Sequence, residues 1–174
     1  MSSFLSYLSS YILPVCVFLF LITGPHDIAT ALLWTLPLWS LLLVDGLGPK
    51  IKQHPPAKLA NRYYDFVLYG LALLQFSNIA AMLEYASRLQ WHTPQQSITA
   101  IVNLIVIRIL VGTSSGSSAI IVAHELIHRS QKTMQKLGQW LLYSVCYEHF
   151  IISHLYGHHP SVGKPEDIAT AKRG

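Results

Sequence analysis

The chain has 174 residues, 52% of them hydrophobic and 11% charged, with 12 Lys and Arg against 8 Asp and Glu. Soluble domains carry roughly 25% charged residues, so intrinsic disorder is excluded and a water-soluble globule is disfavoured. The net charge of +4 lies between apolar runs rather than in an aromatic-laced basic stripe, which argues against nucleic-acid binding.

A membrane helix needs about 20 mostly apolar residues to cross about 30 Å of hydrocarbon. Four segments meet that length in turn: Phe4 to Thr23, Ile28 to Gly48 with Pro37 inside it, Asp65 to Ser87, and Ile98 to Ala123. The first is read as a retained span, because no Lys or Arg precedes it and no small-residue cleavage site follows. A fifth apolar stretch, Leu137 to Ile152, is too short to cross and contains Glu148 and His149. It is expected to form a helix lying at the membrane surface. The expected fold is therefore all-α: an integral membrane bundle of about four spans plus an interfacial helix, in a single domain over residues 1–174.

The basic residues set the expected orientation. Lys50, Lys52, Lys58 and Arg62 follow the second span; Arg129, Lys132, Lys136, Lys164, Lys172 and Arg173 follow the fourth. If the spans alternate, these lie on one side, which the positive-inside rule makes cytoplasmic. Cys16 and Cys146 sit far apart in apolar stretches and form neither a disulfide framework nor a metal knuckle. Gly112 and Gly116 have the GxxxG spacing that allows close helix approach. Arg108 lies near the middle of the fourth span, where a charge is costly and marks either a buried partner, with Glu84 and Asn103 as the candidates, or a channel-lining role.

Six of the nine histidines fall between positions 124 and 159. Five of them form two groups, His124-Glu125-Leu126-Ile127-His128 and His154-Leu155-Tyr156-Gly157-His158-His159. Helical residues four apart share one face. His124 with His128, and His154 with His158, can therefore each offer two imidazoles to one ion. His159 points about 100° further round, able to reach a second ion or to close the first shell. Imidazole suits Zn, Fe, Cu and Ni, so ligand type alone does not select the metal. His26, His54 and His92 lie in loops, and His149 lies just before the second group. HExxH is also the zinc-protease signature with Glu as general base, so an intramembrane zinc protease is a rival. Val44-Asp45-Gly46 resembles an intramembrane-protease element but precedes HExxH. A catalytic zinc takes three protein ligands; five clustered histidines fit a polynuclear site better.

At these residues the chain resembles the membrane-bound alkane monooxygenases of the fatty acid desaturase/hydroxylase superfamily. The resemblance is carried by Ala123 to Arg129, by His154 to His159, and by the continuation Val162-Gly163-Lys164-Pro165-Glu166-Asp167-Ile168-Ala169-Thr170-Ala171-Lys172-Arg173. It implies a di-iron centre with His124, His128, His154, His158 and His159 as iron ligands. Glu125 would then act beside them, orienting a histidine or relaying protons. The implied reaction inserts one atom of O2 into a terminal C–H bond of an n-alkane. Electrons would come from rubredoxin, reduced by an NADH-dependent reductase, and the enzyme would sit in the bacterial inner membrane with its histidines on the cytoplasmic side. A xylene-type hydroxylase or a fatty acid desaturase is the alternative within the superfamily. Glu166 and Asp167 match the family pattern, with a helix-start cap as the simple role. Ser153 stands where the family has Glu before the second box. The family continues into further spans and a third histidine box, so the chain is expected to be the N-terminal portion of such an enzyme, the alternative being an inactive truncated membrane protein.

Overall fold

The computed structural model describes residues 8–48, 61–164, 167, 169 and 170. Those residues form helices and no strand. A 3-10 turn, Ser9–Tyr11, leads into α1, Ile12–Thr23. Together they make a 15-residue apolar helix, about 22 Å long. That is shorter than a full crossing; the start of the expected first span lies outside the described residues.

The expected second span is two helices, α2 (Ile28–Leu33) and α3 (Leu36–Leu47), interrupted at Trp34 and Thr35. Asp27 caps α2 by accepting from the Thr30 N–H at 3.1 Å and the Thr30 hydroxyl at 2.6 Å. The interruption explains how Pro37 is accommodated. It falls in the first turn of α3, where a helix needs no N–H from it.

Helix α4 runs over Asn61–Ser87 and α5 over Pro94–Ser115. A capping box starts α5: the Thr93 side chain accepts from the Gln96 N–H, and Gln96 Oε1 accepts from the Thr93 N–H, each at 3.2 Å. Past Ser115 the helix continues through a π-helical turn, Gly116–Ile121, into α6, Val122–Ile127. Among the described residues, three helical segments are long and apolar enough to cross a membrane: Ile28–Leu47, taken across its interruption, Tyr64–Ser87 and Pro94–Ile127.

Two apolar clusters hold the bundle. One packs Val17, Phe20, Leu21, Tyr85, Val106 and Leu110 toward the start of α5; the other packs Val67, Leu71, Val122, Leu126, Leu141 and Leu142 beneath the first histidine group. Along α4 and α5 a buried polar belt separates them. Gln75 donates to Ser115 Oγ at 3.1 Å and accepts from the Ser118 hydroxyl at 2.7 Å, while Asn78 donates to the Pro14 carbonyl at 3.1 Å. These serines are the small residues buried in the helix contacts. A Cβ added at Gly112 or Gly116 would meet nothing within 4 Å, so that pair brings no two helices together among the described residues.

Arg108 is exposed and has no ion pair or hydrogen bond among the described residues. Glu84 pairs instead with Arg88 at 3.7 Å. Asn103 is fully buried in another role, donating to the carbonyl of His26 at 2.8 Å and accepting from the Tyr85 hydroxyl.

After α6 the chain reverses into α7, Lys132–Ser144. Its buried residues Met134, Gly138, Leu141 and Leu142 recur at helical spacing, with Lys132, Lys136, Trp140 and Tyr143 exposed. The expected single helix over Leu137 to Ile152 is two helices. Cys146 takes a φ of 55°. The N–H groups of Cys146 and Tyr147 return to the carbonyls of Tyr143 and Leu142 at 3.1 and 2.9 Å, a Schellman ending with cysteine where glycine is usual. A new helical stretch then begins: α8 (Phe150–Ile152), a second π-helical turn (Ser153–His158) and α9 (His159–Ser161).

Candidate metal centre

The first histidine pair stands at the far end of the Pro94–Ile127 helix. His124 lies in α6 and His128 is its C-cap, four residues on. Their rings are 4.8 Å apart by centroid, as the spacing predicts. Leu126 and Ile127 between them are buried and fix the helix face that carries the imidazoles.

The second group approaches from α8 and the π-helical turn after it. Nε2 of His154 lies 2.9 Å from Nε2 of His124, 3.1 Å from Nε2 of His128 and 3.0 Å from Nε2 of His159. Four imidazole nitrogens from two sequence-separated boxes thus meet around His154. One nitrogen each from His124, His128 and His154 lie within 4.8 Å of one another.

The pairing inside the second box differs from the α-helical expectation. A π-helical turn is closed by i→i+5 hydrogen bonds and so holds an extra residue. His154 and His159, five apart, therefore come together, while His158 is set aside. The His158 ring lies 5.6 Å from that of His154, and its Nδ1 is 2.8 Å from Asp167 Oδ2.

Aromatic side chains support the hub. Phe150 stacks on His154 at 4.7 Å with 13° between the planes, and Tyr147 stacks on Phe150 at 5.3 Å. Sequence reading did not single these out. The available signal was Phe150 at i−4 from His154, on the same helical face.

Burial and the neighbouring imidazoles of His124, His159, His128 and His158 push the pKa of His154 down to about 4. His128 is lowered for the same two reasons, burial first, with Glu125 opposing. Both therefore favour the neutral ring, the form that binds metal.

Can hydrogen bonding alone explain the convergence? One ring nitrogen has either one hydrogen or one lone pair to offer. It cannot satisfy three neighbours at about 3 Å. Lone pairs turned to a cation remove that conflict, and one nitrogen each from His124, His128 and His154 lie close enough together to share it. Two nitrogens bound at about 2.1 Å and at right angles lie about 3 Å apart, matching the 2.9–3.1 Å separations. The donor set fits a transition-metal ion.

Glu125 is exposed and has no hydrogen bond to an imidazole among the described residues. It lines, with His128, a cavity of about 720 Å³ whose other walls include Val67, Leu68, Leu71, Ile121 and Val122. Arg129, also on the wall, is held by Asp65 at 3.2 Å. The buried Asp167 carboxylate accepts from the Ala169 N–H at 3.0 Å and from the Thr170 hydroxyl. Hydrogen bonds from Thr170, then Ala169 and His158, lower its pKa against the opposing effect of burial.

The other histidines are elsewhere. His149 is exposed with its ring 4.6 Å from Tyr147. His26 stacks on Phe20 at 4.9 Å and is bonded by Asn103; from Asn103 to His124 the helix rises about 31 Å. The backbone N–H of His92 donates to Gln96 Oε1 at 3.2 Å. His54 and Glu166 lie outside the described residues.

The fatty acid desaturase family model matches residues 99–174. Alkane 1-monooxygenase 1 of Pseudomonas aeruginosa is 46% identical over 63 residues, 36% of this chain and 16% of that protein. Alkane 1-monooxygenase 2 of Alcanivorax borkumensis is 40% identical over 62 residues, 36% of this chain and 16% of that protein. The alkane 1-monooxygenase of Pseudomonas putida is 27% identical over 139 residues, 77% of this chain and 32% of that protein. The chain thus spans a third or less of the length of these curated relatives. No solved structure matches significantly. Residues 99–174, which carry all five boxed histidines, match the fatty acid desaturase family model, and the chain resembles the alkane 1-monooxygenases.

Proposed function

We propose that this protein works in a membrane-bound non-haem di-iron monooxygenase that hydroxylates the terminal carbon of n-alkanes. The observation that carries the reading is the meeting of His124, His128, His154 and His159 at one end of a helix long and apolar enough to cross a membrane. The names of the relatives supply the substrate class. His158 is the fifth proposed ligand.

The net reaction takes an alkane, O2, two electrons and two protons to a primary alcohol and water. Iron, when bound, supplies the redox chemistry that reduces O2. The chain's own residues supply the setting. The neutral imidazoles donate lone pairs. Val67, Leu68, Leu71, Ile121 and Val122 offer an apolar wall that excludes water and directs an alkyl chain toward His128. Glu125, on the same wall, is placed to hold or pass a proton. Rubredoxin, reduced by its NADH-dependent reductase, is the proposed donor. The basic residues after the second and fourth expected spans support a site on the cytoplasmic side of a bacterial inner membrane.

The test uses the protein in membranes, with rubredoxin, its reductase, NADH and n-octane. The expected result is 1-octanol formation dependent on iron. Stoichiometric zinc, absence of iron and peptide hydrolysis would replace this reading with the zinc protease.

A further inference from the structure

Asp167 has a feature that capping does not require. Its side chain is 2% exposed, yet it accepts three donors: His158 Nδ1–H at 2.8 Å, the Ala169 N–H at 3.0 Å and the Thr170 hydroxyl. An ionised carboxylate has only acceptor sites, so the shared hydrogen of the His158 pair belongs to Nδ1. In the neutral ring the lone pair then lies on Nε2. Turning the ring over would place Nε2, not Nδ1, against the carboxylate, and the other tautomer would set two lone pairs face to face.

His158 also stands apart from the other boxed histidines. The rings of His124, His128 and His159 each bring Nε2 to His154, whereas among the described residues the hydrogen bond of the His158 ring goes to Asp167. Its ring stays close to the group, 5.6 Å from His154 and 5.9 Å from His159.

We propose that Asp167 is a positioning residue that fixes the tautomer and direction of His158, so that His158 Nε2 is presented to a divalent first-row metal ion beside the nitrogens gathered on His154. The role of a carboxylate behind a metal-binding imidazole is general: it orients the ring and raises its basicity. Thr170 and the Ala169 N–H in turn hold the carboxylate. This inference rests on the metal-centre reading, though not on the alkane as substrate.

The test is titration of the metal-free full chain in detergent micelles with Co(II), read by its d–d absorption, with helix content followed by circular dichroism. Asp167→Ala is expected to weaken cobalt binding by about 10- to 100-fold. Asp167→Asn, isosteric but uncharged, should fall between wild type and Asp167→Ala. His158→Ala should remove the same contribution, and adding Asp167→Ala to it should cost nothing more, because the carboxylate acts through the ring. Wild-type affinity in Asp167→Ala, or in Asp167→Asn if the alanine variant loses helix content, overturns the proposal. So does an equal loss from Asp167→Ala with and without His158. A wild-type protein that takes up no cobalt overturns the metal centre itself along with this inference.

Discussion

Gly138 of α7 lies directly against the backbone of Ala123, the residue that precedes His124. A Cβ at position 138 would stand 3.0 Å from the Ala123 carbonyl oxygen and 2.9 Å from Ile127 Cγ2. The absence of a side chain there sets how closely α7 supports the helix that carries the first histidine box. Gly138→Val should push the two helices apart, costing about 1–3 kcal/mol and spoiling the convergence on His154. Thermal unfolding in detergent and Co(II) titration report the two effects; an unchanged cobalt affinity would show that this packing does not set the imidazole geometry.

Protons and metal should compete for the cluster. The ordinary histidine pKa is 6.5, and burial plus neighbouring imidazoles bring His154 down to about 4. Between those values the unfolded chain binds the proton that the folded chain refuses, so stability falls as pH drops. The metal-free protein should keep this contribution above about pH 7 and lose it progressively from 6.5 toward 4. Metal affinity of the folded protein should hold through that interval and decline only as pH approaches 4, where His154 itself takes up the proton and can no longer donate. Melting temperature measured across pH 4–8, with and without Co(II), checks both; a flat profile below pH 6.5 would contradict the depressed pKa.

Phe150 supports the hub by stacking at 4.7 Å. Replacing it with Leu retains bulk but removes the ring. The change should cost about 0.5–1.5 kcal/mol and broaden the range of His154 orientations. Weaker Co(II) binding with unchanged helix content is the expected readout. Wild-type affinity would assign the orientation of His154 to its backbone alone.

The cavity offers a separable test, because its apolar wall can be filled without touching the imidazoles. Leu68→Trp adds bulk to the wall. It should shift hydroxylation toward shorter alkanes, with a several-fold loss on the longest chains and no change in Co(II) affinity. Product profiles by gas chromatography across a chain-length series would show it. An unchanged profile would place the substrate elsewhere.

The gathering of the histidines was legible because residue type and spacing are local facts. His124 and His128 come together on α6 as four-residue spacing dictates. The partner of His154 was not legible: the pairing follows from the π-helical turn over Ser153–His158, and a hydrogen-bond shift of one residue leaves no mark in a hydrophobic pattern. Asp167 was recognisable as a family-pattern residue, but its contact with His158 depends on a chain reversal after α9. Pro37 was visible as a disturbance of the second span, whereas the break came a turn earlier, at Trp34 and Thr35. The single helix expected over Leu137 to Ile152 divides at Cys146, a residue with no strong preference for positive φ. Arg108 announced the need for a partner, yet Glu84, the carboxylate considered for it, is engaged by Arg88 instead.

The ending of α7 at Cys146 has a mechanical consequence. Beyond it, α8, the π-helical turn and α9 have no buried residues, whereas the first box is rooted in the packed end of a long helix. Segments with little buried apolar surface open at low free-energy cost. What holds the second box to the bundle is Phe150 and Ile151, packed half-buried on the second apolar cluster, so its amide hydrogens should exchange before those of the helix that carries the first box.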